Sequence, residues 1–378
     1  MRKLLSTALP LAALCIIGTS VRADAPRYRV TILDDQKHKY FLEARAISDA
    51  GIVVGVSIER TPSGTNPRWH GFLFRHGKYN EVGAPPGCTL SEAVAINTAG
   101  EIAGIASVRG KTPQAFIWRD NQLHRLSPGP GVSCQVRALS DSGVAVGTVT
   151  LPKGRVVAAV WNRSNGDATP HILKDFDRAV AIASNGDIAL IESDQSYVLS
   201  QGRAVRLGTL GGGDAIVEAL NSVGDVVGTS TTSNELAHAF LWRAGTIADV
   251  SRMKSLDGTA AVLSADSIND QGQVVGTVRD GLDTRAMLFE NGHATNLNHL
   301  IPPHLLTLDV ARAINNHGQI IGQGHIGQRY VSFLLTPLAK LDPRPPATTV
   351  FSQTPAGYRP PGPAPGVRPQ GGPQDAGA

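Results

Sequence analysis

The stretch that decides the fold is Arg45-Ala46-Ile47-Ser48-Asp49-Ala50-Gly51-Ile52-Val53-Val54-Gly55, because variants of it recur six more times along the chain. The glycine at its centre returns at intervals of 49, 43, 43, 38, 48 and 46 residues. The seven copies of this glycine are Gly51, Gly100, Gly143, Gly186, Gly224, Gly272 and Gly318. A period of this length is typical of propellers, solenoids and other repeat arrays.

Each copy has the pattern of a β-hairpin. An apolar strand ends at Ile or Leu, polar residues turn the chain, glycine takes the position that needs a positive φ, and a β-branched run follows. A second glycine, such as Gly55, lies four residues further on and suits a bulge or a close approach of two backbones. Copy four has Leu190 at that position and is the degenerate copy.

A second pair of strands follows each hairpin. His238-Ala239-Phe240-Leu241-Trp242 and the later strand Thr246-Ile247-Ala248-Asp249-Val250 are one example, separated by a short turn with Gly245. Four short antiparallel strands in about 44 residues make one propeller blade. The sequence therefore predicts an all-β fold, a seven-bladed β-propeller with four antiparallel strands per blade.

The two ends of the repeat region complement each other. Copy seven stops at Leu335-Thr336-Pro337-Leu338 without a fourth strand, while Tyr28-Arg29-Val30-Thr31-Ile32-Leu33 precedes copy one without a partner. We expect this N-terminal strand to complete blade seven, because closure leaves no open sheet edge. A linear β-solenoid is the alternative, and it would have atypical capping copies at its ends instead.

The alternation of Ala-x-x-Ile-Asn-x-x-Gly-x-Val-Val-Gly with His-Ala-Phe-Leu-Trp resembles the HAF-repeat family of exported bacterial proteins. His238-Ala239-Phe240-Leu241-Trp242 matches in full, and the resemblance covers roughly residues 27–338. Other copies depart from it, with His70-Gly71-Phe72 in the first and Arg285-Ala286-Met287 in the sixth. The resemblance implies a propeller-like fold and export, and it implies no particular activity or ligand.

The terminal segments differ from the repeats. Residues 1–23 combine the cationic start Met1-Arg2-Lys3, an apolar stretch and a small residue at Ala23, so they predict a cleaved secretory signal peptide. A transmembrane anchor is the alternative for this segment. Residues 24–338 are the predicted propeller, and the Pro/Gly-rich residues 339–378 are a predicted disordered tail. We therefore expect an exported monomer, periplasmic or extracellular, without a transmembrane segment after signal cleavage.

Charge gives little support to an anionic macromolecular partner. The formal net charge is +4, but Arg2, Lys3 and Arg22 belong to the predicted signal, which leaves 32 basic against 31 acidic residues. Binding to nucleic acid needs a strong basic excess or a dense basic patch. We expect no nucleic-acid partner.

No linear motif for catalysis or for a cofactor is present. The sequence has no nucleophile elbow, zinc-protease motif or phosphate loop. His70 and His238 occupy equivalent repeat positions and are expected to pack or hydrogen-bond within their blades, while Asp49, Asp141 and Asp270 are interpreted as turn residues. Cys88 and Cys134 lie in links between blades and are either a disulfide or two separate thiols. We expect no catalytic residues, no metal and no cofactor.

The topology of the propeller predicts ligand binding on one of its two faces. The loops between second and third strands vary in length and share a face with the blade-to-blade links, and variable polar loops on a rigid scaffold are expected to bind ligands. They carry nine Arg and Lys against six Asp and Glu. The candidate ligand-binding residues are Arg60, Arg68, Trp69, Arg109, Lys111, Lys153, Arg155, Arg279, Asp280, Asp283, Arg285, Arg329 and Tyr330.

Two functions remain for such a chain. The first is a non-enzymatic binding or interaction module that presents its variable-loop face to a polysaccharide or a protein. The second is a lyase or hydrolase acting on a carbohydrate or ester with His and Asp or Glu side chains from several blades. The missing catalytic motifs favour the first, although residues gathered from separate blades leave no linear motif.

Overall fold

The computed structural model describes residues 27–34, 39–59, 68–108, 110–162, 169–252, 262–280 and 283–338. These form seven four-stranded antiparallel sheets, which confirms the predicted seven-bladed β-propeller. The predicted signal peptide and tail lie outside the described residues. Two short 3-10 helices, Val250–Arg252 and Leu297–Leu300, occur in the links that follow blades five and six.

Twenty-eight strands build the blades, numbered β1 to β28 in chain order. Blades one to three contain β2 Tyr40–Ile47, β3 Val53–Glu59, β4 Trp69–Arg75, β5 Lys78–Gly83, β6 Leu90–Ile96, β7 Ile102–Ser107, β8 Gln114–Arg119, β9 Gln122–Arg125, β10 Ser133–Leu139, β11 Val144–Thr150, β12 Val156–Asn162 and β13 His171–Leu173. Blades four and five contain β14 Arg178–Ile182, β15 Ile188–Glu192, β16 Gln195–Ser200, β17 Arg203–Arg206, β18 Gly211–Leu220, β19 Val226–Thr232, β20 Ala237–Arg243 and β21 Thr246–Asp249. Blades six and seven contain β22 Val262–Ile268, β23 Val274–Asp280, β24 Asp283–Glu290, β25 His293–Asn296, β26 Thr307–Ile314, β27 Ile320–Ile326, β28 Arg329–Pro337 and β1 Tyr28–Leu33.

The N-terminal strand closes the ring as predicted. β1 pairs antiparallel with β28, from Tyr28 opposite Pro337 to Leu33 opposite Ser332. At the interface between blade seven and blade one, the Ser332 hydroxyl donates to the carbonyl oxygen of Leu42 at 2.7 Å. Blade seven therefore has its fourth strand and also contacts the first blade.

Hydrogen bonds connect the first hairpin turns of neighbouring blades. In four blades the turn begins with a buried Asn, and the Asn315 amide, for example, donates to the Ser48 carbonyl of blade one at 2.9 Å. The sequence interpretation of Asp49, Asp141 and Asp270 as simple turn residues was incomplete. Each accepts the backbone N–H of the turn in the preceding blade, as Asp49 does from Asn316 at 2.8 Å. These carboxylates therefore hold blades together.

The second glycine of each repeat faces the backbone of the innermost strand. A Cβ added at Gly55 would lie 2.0 Å from the Glu43 carbonyl oxygen, and the inner strand has a β-bulge at that level. Gly55 is also the register partner of Phe72, whose ring covers it. The two halves of the repeat motif thus meet across adjacent strands. In blade four, Leu190 replaces this glycine and is itself completely buried.

Cys88 and Cys134 are separate thiols. Cys134 is buried in the apolar layer between blades two and three, and its thiol lies 3.5 Å from the Leu126 carbonyl oxygen. Cys88 packs against a different layer, between blades one and two. Among the described residues, no helix is long and apolar enough to cross a membrane.

Candidate functional site

A cleft of about 800 Å³ opens between blades six and seven on the variable-loop face. Its wall takes Asp283 and Arg285 from β24, and Asp309, His325 and Tyr330 from β26, β27 and β28. The link that follows the 3-10 helix Leu297–Leu300 forms the rim. The volume lies within the range of about 300–1,000 Å³ that is usual for small-molecule sites.

A carboxylate–imidazole contact within this cleft depends on an irregularity of blade seven. The ladder between β26 and β27 shifts register between Leu308 and Val310, so Asp309 is the extra residue of a β-bulge. Its carboxylate Oδ2 lies 2.8 Å from Nδ1 of His325. Bulges often re-aim a side chain next to a functional site. With Nδ1 held by the carboxylate, Nε2 of His325 is the imidazole nitrogen left for a ligand.

A side-chain clamp fixes the strand beside the bulge. The Asn298 side chain accepts the Leu308 N–H at 2.8 Å and donates to the Leu308 carbonyl oxygen at 3.0 Å. Asn298 is itself held, because its backbone N–H donates to the Asn296 side chain that caps the short helix. The position of Asp309 is therefore set by both the strand register and the preceding link.

Tyr330 is the most exposed large hydrophobic side chain of the cleft, with 67% of its surface accessible. It stands opposite His325 in the β27–β28 ladder, and the two rings meet edge to face with centroids 6.3 Å apart. Leu305 and Ile326 are also exposed at the rim. The cleft thus combines an accessible aromatic ring, apolar contacts and directional polar groups.

The structure brings three of the thirteen predicted residues together here: Asp283, Arg285 and Tyr330. Arg329 directly precedes Tyr330 but contacts Asp34, with Nη2 to Oδ2 at 3.3 Å. Arg279 is exposed on β23, and of Asp280 only the strand position is described.

The other predicted residues belong to blades one to three, away from this cleft. Arg68 and Trp69 are exposed at the start of β4, with Trp69 accessible over 44% of its surface. Lys111 and Lys153 are exposed, and Arg155 donates to the Lys174 carbonyl oxygen at 2.8 Å. Arg60 and Arg109 lie outside the described residues.

Sequence reasoning missed Asp309 and His325. Their pairing depends on the extra residue in β26, and a bulge of this kind leaves no mark in the hydrophobic pattern. The expectation for His238 is confirmed, because its Nδ1 lies 2.8 Å from Asp249 within blade five. In the part of the chain that the structure describes, no group of three His, Cys, Asp or Glu side chains is arranged to hold a metal ion.

Comparisons with known proteins support the fold. No family model and no curated protein matches the chain. Among solved structures it is similar to the β-propeller domain of the Trilobed protease from Pyrococcus furiosus, at 8% identity and a TM-score of 0.55, over 83% of this chain and 98% of that one. It is also similar to the acylaminoacyl peptidase of Pyrococcus horikoshii, at 11% identity and a TM-score of 0.54, over 80% of this chain and 52% of that one.

These similarities concern architecture alone. The Trilobed protease domain is described as having an open velcro topology. In the present chain, β1 pairs with β28 and closes the ring. The closure of the ring is therefore seen in the strand pairing of this chain and does not follow from its similarity to that domain.

Proposed function

We propose that this chain is an exported, non-enzymatic binding propeller of the HAF-repeat type, and that the cleft between blades six and seven binds a saccharide chain. The observation that carries the proposal is the accessible Tyr330 ring beside polar side chains in a preformed cleft. The predicted signal peptide and the resemblance of the repeats support export.

The lining of the cleft favours a neutral saccharide over other ligands. An exposed aromatic ring can cover the apolar face of a sugar, while Asp283, Arg285 and His325 offer groups for hydroxyl hydrogen bonds. Basic residues are not concentrated here, because the lining of the cleft contains one arginine, Arg285, and the carboxylates of Asp283 and Asp309. This balance disfavours an anionic polymer as the ligand of the cleft.

The proposal predicts the effect of removing the aromatic ring. The intact chain is tested by calorimetry against neutral oligosaccharides, oligogalacturonate and a peptide panel. We expect neutral oligosaccharide binding, and Tyr330→Ala should weaken it by roughly 30-fold, since a central aromatic contact contributes about 2 kcal/mol.

Trp69→Ala is the matched control, because Trp69 is an exposed aromatic residue on the same face but in blade one. It should leave the affinity unchanged. Binding of peptides alone, or a loss in Trp69→Ala with none in Tyr330→Ala, would contradict the proposed ligand or the proposed place.

A second candidate function rests on the Asp309–His325 pair. A histidine oriented by a carboxylate can act as a general base, so the cleft could support hydrolysis of a bound sugar ester. In that case acetylated oligosaccharides would release acetate, and His325→Asn would lower the rate at saturating substrate by at least about 100-fold. Absence of acetate release from the unaltered chain removes this candidate and leaves the binding proposal intact.

A further inference from the structure

A β-bulge recurs at the same level of the innermost strand of all seven blades. The register shift falls between Ala44 and Ala46 in blade one, and the extra residue there is Arg45. The extra residues of blades two to seven are, in order, Val94, Arg137, Val180, Glu218, Asp266 and Arg312. Five of these seven residues are charged, although they lie on the strands that surround the axis.

The bulges place these side chains at one level of the strands that surround the axis, and their charges act on one another across it. Glu218 of blade five interacts with Arg137 of blade three and Arg312 of blade seven. Neither blade is a neighbour of blade five in the ring, so the interactions act across the axis. Glu218 and Arg137 are also accessible to solvent, so water enters the channel.

The charges are unevenly compensated around the channel. Arg45 lies 3.3 Å from Glu43 and 3.9 Å from Glu92. By contrast, Arg137, Arg178 and Arg312 form no ion pair within 4 Å among the described residues, and only the more distant charges of Glu218 and Asp266 act on them. Nε of Arg312 is buried without a hydrogen-bond partner. Arg178 starts β14, at the mouth of the channel on the variable-loop face. Guanidinium groups without a bound acceptor are well suited to oxyanions.

We infer that the axial channel is a second binding site, which takes a small oxyanion between the guanidinium groups of Arg137, Arg178 and Arg312. The shared chemistry is that of a phosphate group or of a sugar carboxylate. This site is separate from the cleft, where Tyr330 is the central contact.

Glu218 makes the site sensitive to pH. Partial desolvation by the channel wall and the nearby Asp266 carboxylate raise the pKa of Glu218, while Arg137, Arg312 and Arg178 oppose the rise. Desolvation likewise raises the pKa of Asp266, against the hydrogen bond from Ser264 and the charge of Arg312. A protonated Glu218 can donate to an oxyanion, whereas its carboxylate repels one. Oxyanion affinity should therefore fall as pH rises through the Glu218 titration.

The test uses sulfate with the intact chain, because sulfate keeps its charge over the relevant pH range. Calorimetry should show saturable binding that Arg137→Gln and Arg312→Gln each weaken by at least about tenfold. Arg203→Gln, on the outer strand β17, is the control and should have no effect. Circular dichroism establishes that each variant is folded.

Glu218→Gln provides a second, independent measurement. Because the amide always carries N–H donors, this variant should bind sulfate with an affinity that changes less with pH than that of the unaltered chain, the remaining change coming from Asp266. Competition by inorganic phosphate or by galacturonate then distinguishes a phosphate from a sugar carboxylate as the natural group.

Three outcomes would overturn the site. They are the absence of saturable sulfate binding, equal weakening by Arg203→Gln, and loss of sulfate binding in Tyr330→Ala, which would place the anion in the cleft. Failure of saccharide binding in the cleft has no bearing on this result.

Discussion

Gly276→Ala is expected to destabilise the propeller by at least about 3 kcal/mol. A Cβ at this position would lie 1.7 Å from the Ser264 carbonyl oxygen of the innermost strand. That oxygen belongs to the backbone next to the bulge, so relief requires movement of a whole strand. The free energy of unfolding, measured by urea titration, should drop accordingly.

Gly213→Ala is the matched control for this substitution. Gly213 also lies in a strand, β18, but a Cβ there would meet no atom within 4 Å. We expect a change within about 0.5 kcal/mol. Equal stability of Gly276→Ala and Gly213→Ala would show that strands β22 and β23 are not as closely apposed as described.

Removal of the closing strand has the other large expected effect. A chain that lacks residues 1–34 loses all of β1, and with it the Arg27–Glu290 ion pair at 2.8 Å. The edge of β28 is then unpaired, and Phe333 and Leu335 lose part of their cover. Exposed apolar strand edges associate, so we expect aggregation and loss of a cooperative unfolding transition.

A chain that lacks only residues 1–23 is the control and should remain a folded monomer. A synthetic peptide of residues 27–34, added to the shorter chain, should restore cooperative unfolding by strand addition, whereas a scrambled peptide should not. If the shorter chain unfolds cooperatively without any peptide, β1 is not required for closure.

The architecture could be predicted because its signals are local and repeated seven times. Gly51 and its equivalents have positive φ in the first hairpin turn, as the turn pattern requires. The missing fourth strand of copy seven and the unpaired segment before copy one predicted the pairing of β1 with β28. The second glycine was interpreted as a bulge or a close backbone approach; the structure shows the close approach, with the bulge on the facing strand. Its side-chain partner on the third strand, such as Phe72 for Gly55, required the structure.

The candidate sites could be predicted only in part, because they depend on register and on contacts between distant blades. Tyr330 was chosen from its variable loop, but the cleft around it is built by Asp309 and His325, which a bulge brings together. The axial charges have a partial sequence signal. Arg137 and Glu218 are 81 positions apart, but each directly precedes the Ala of the repeated phrase, so their equivalence is visible in the sequence. The bulge that gives this position its place beside the axis is not visible there.

Amide hydrogen exchange measured by mass spectrometry locates the bound ligand most directly, and we expect it in the cleft between blades six and seven. With the oligosaccharide that the chain binds best, at saturation, slower exchange should be confined to residues 283–285, 304–309 and 325–330. The Tyr330→Ala variant should show clearly less of this protection at the same concentration. Protection around Trp69 in blade one, or on the face that carries the first hairpin turns, would contradict the account.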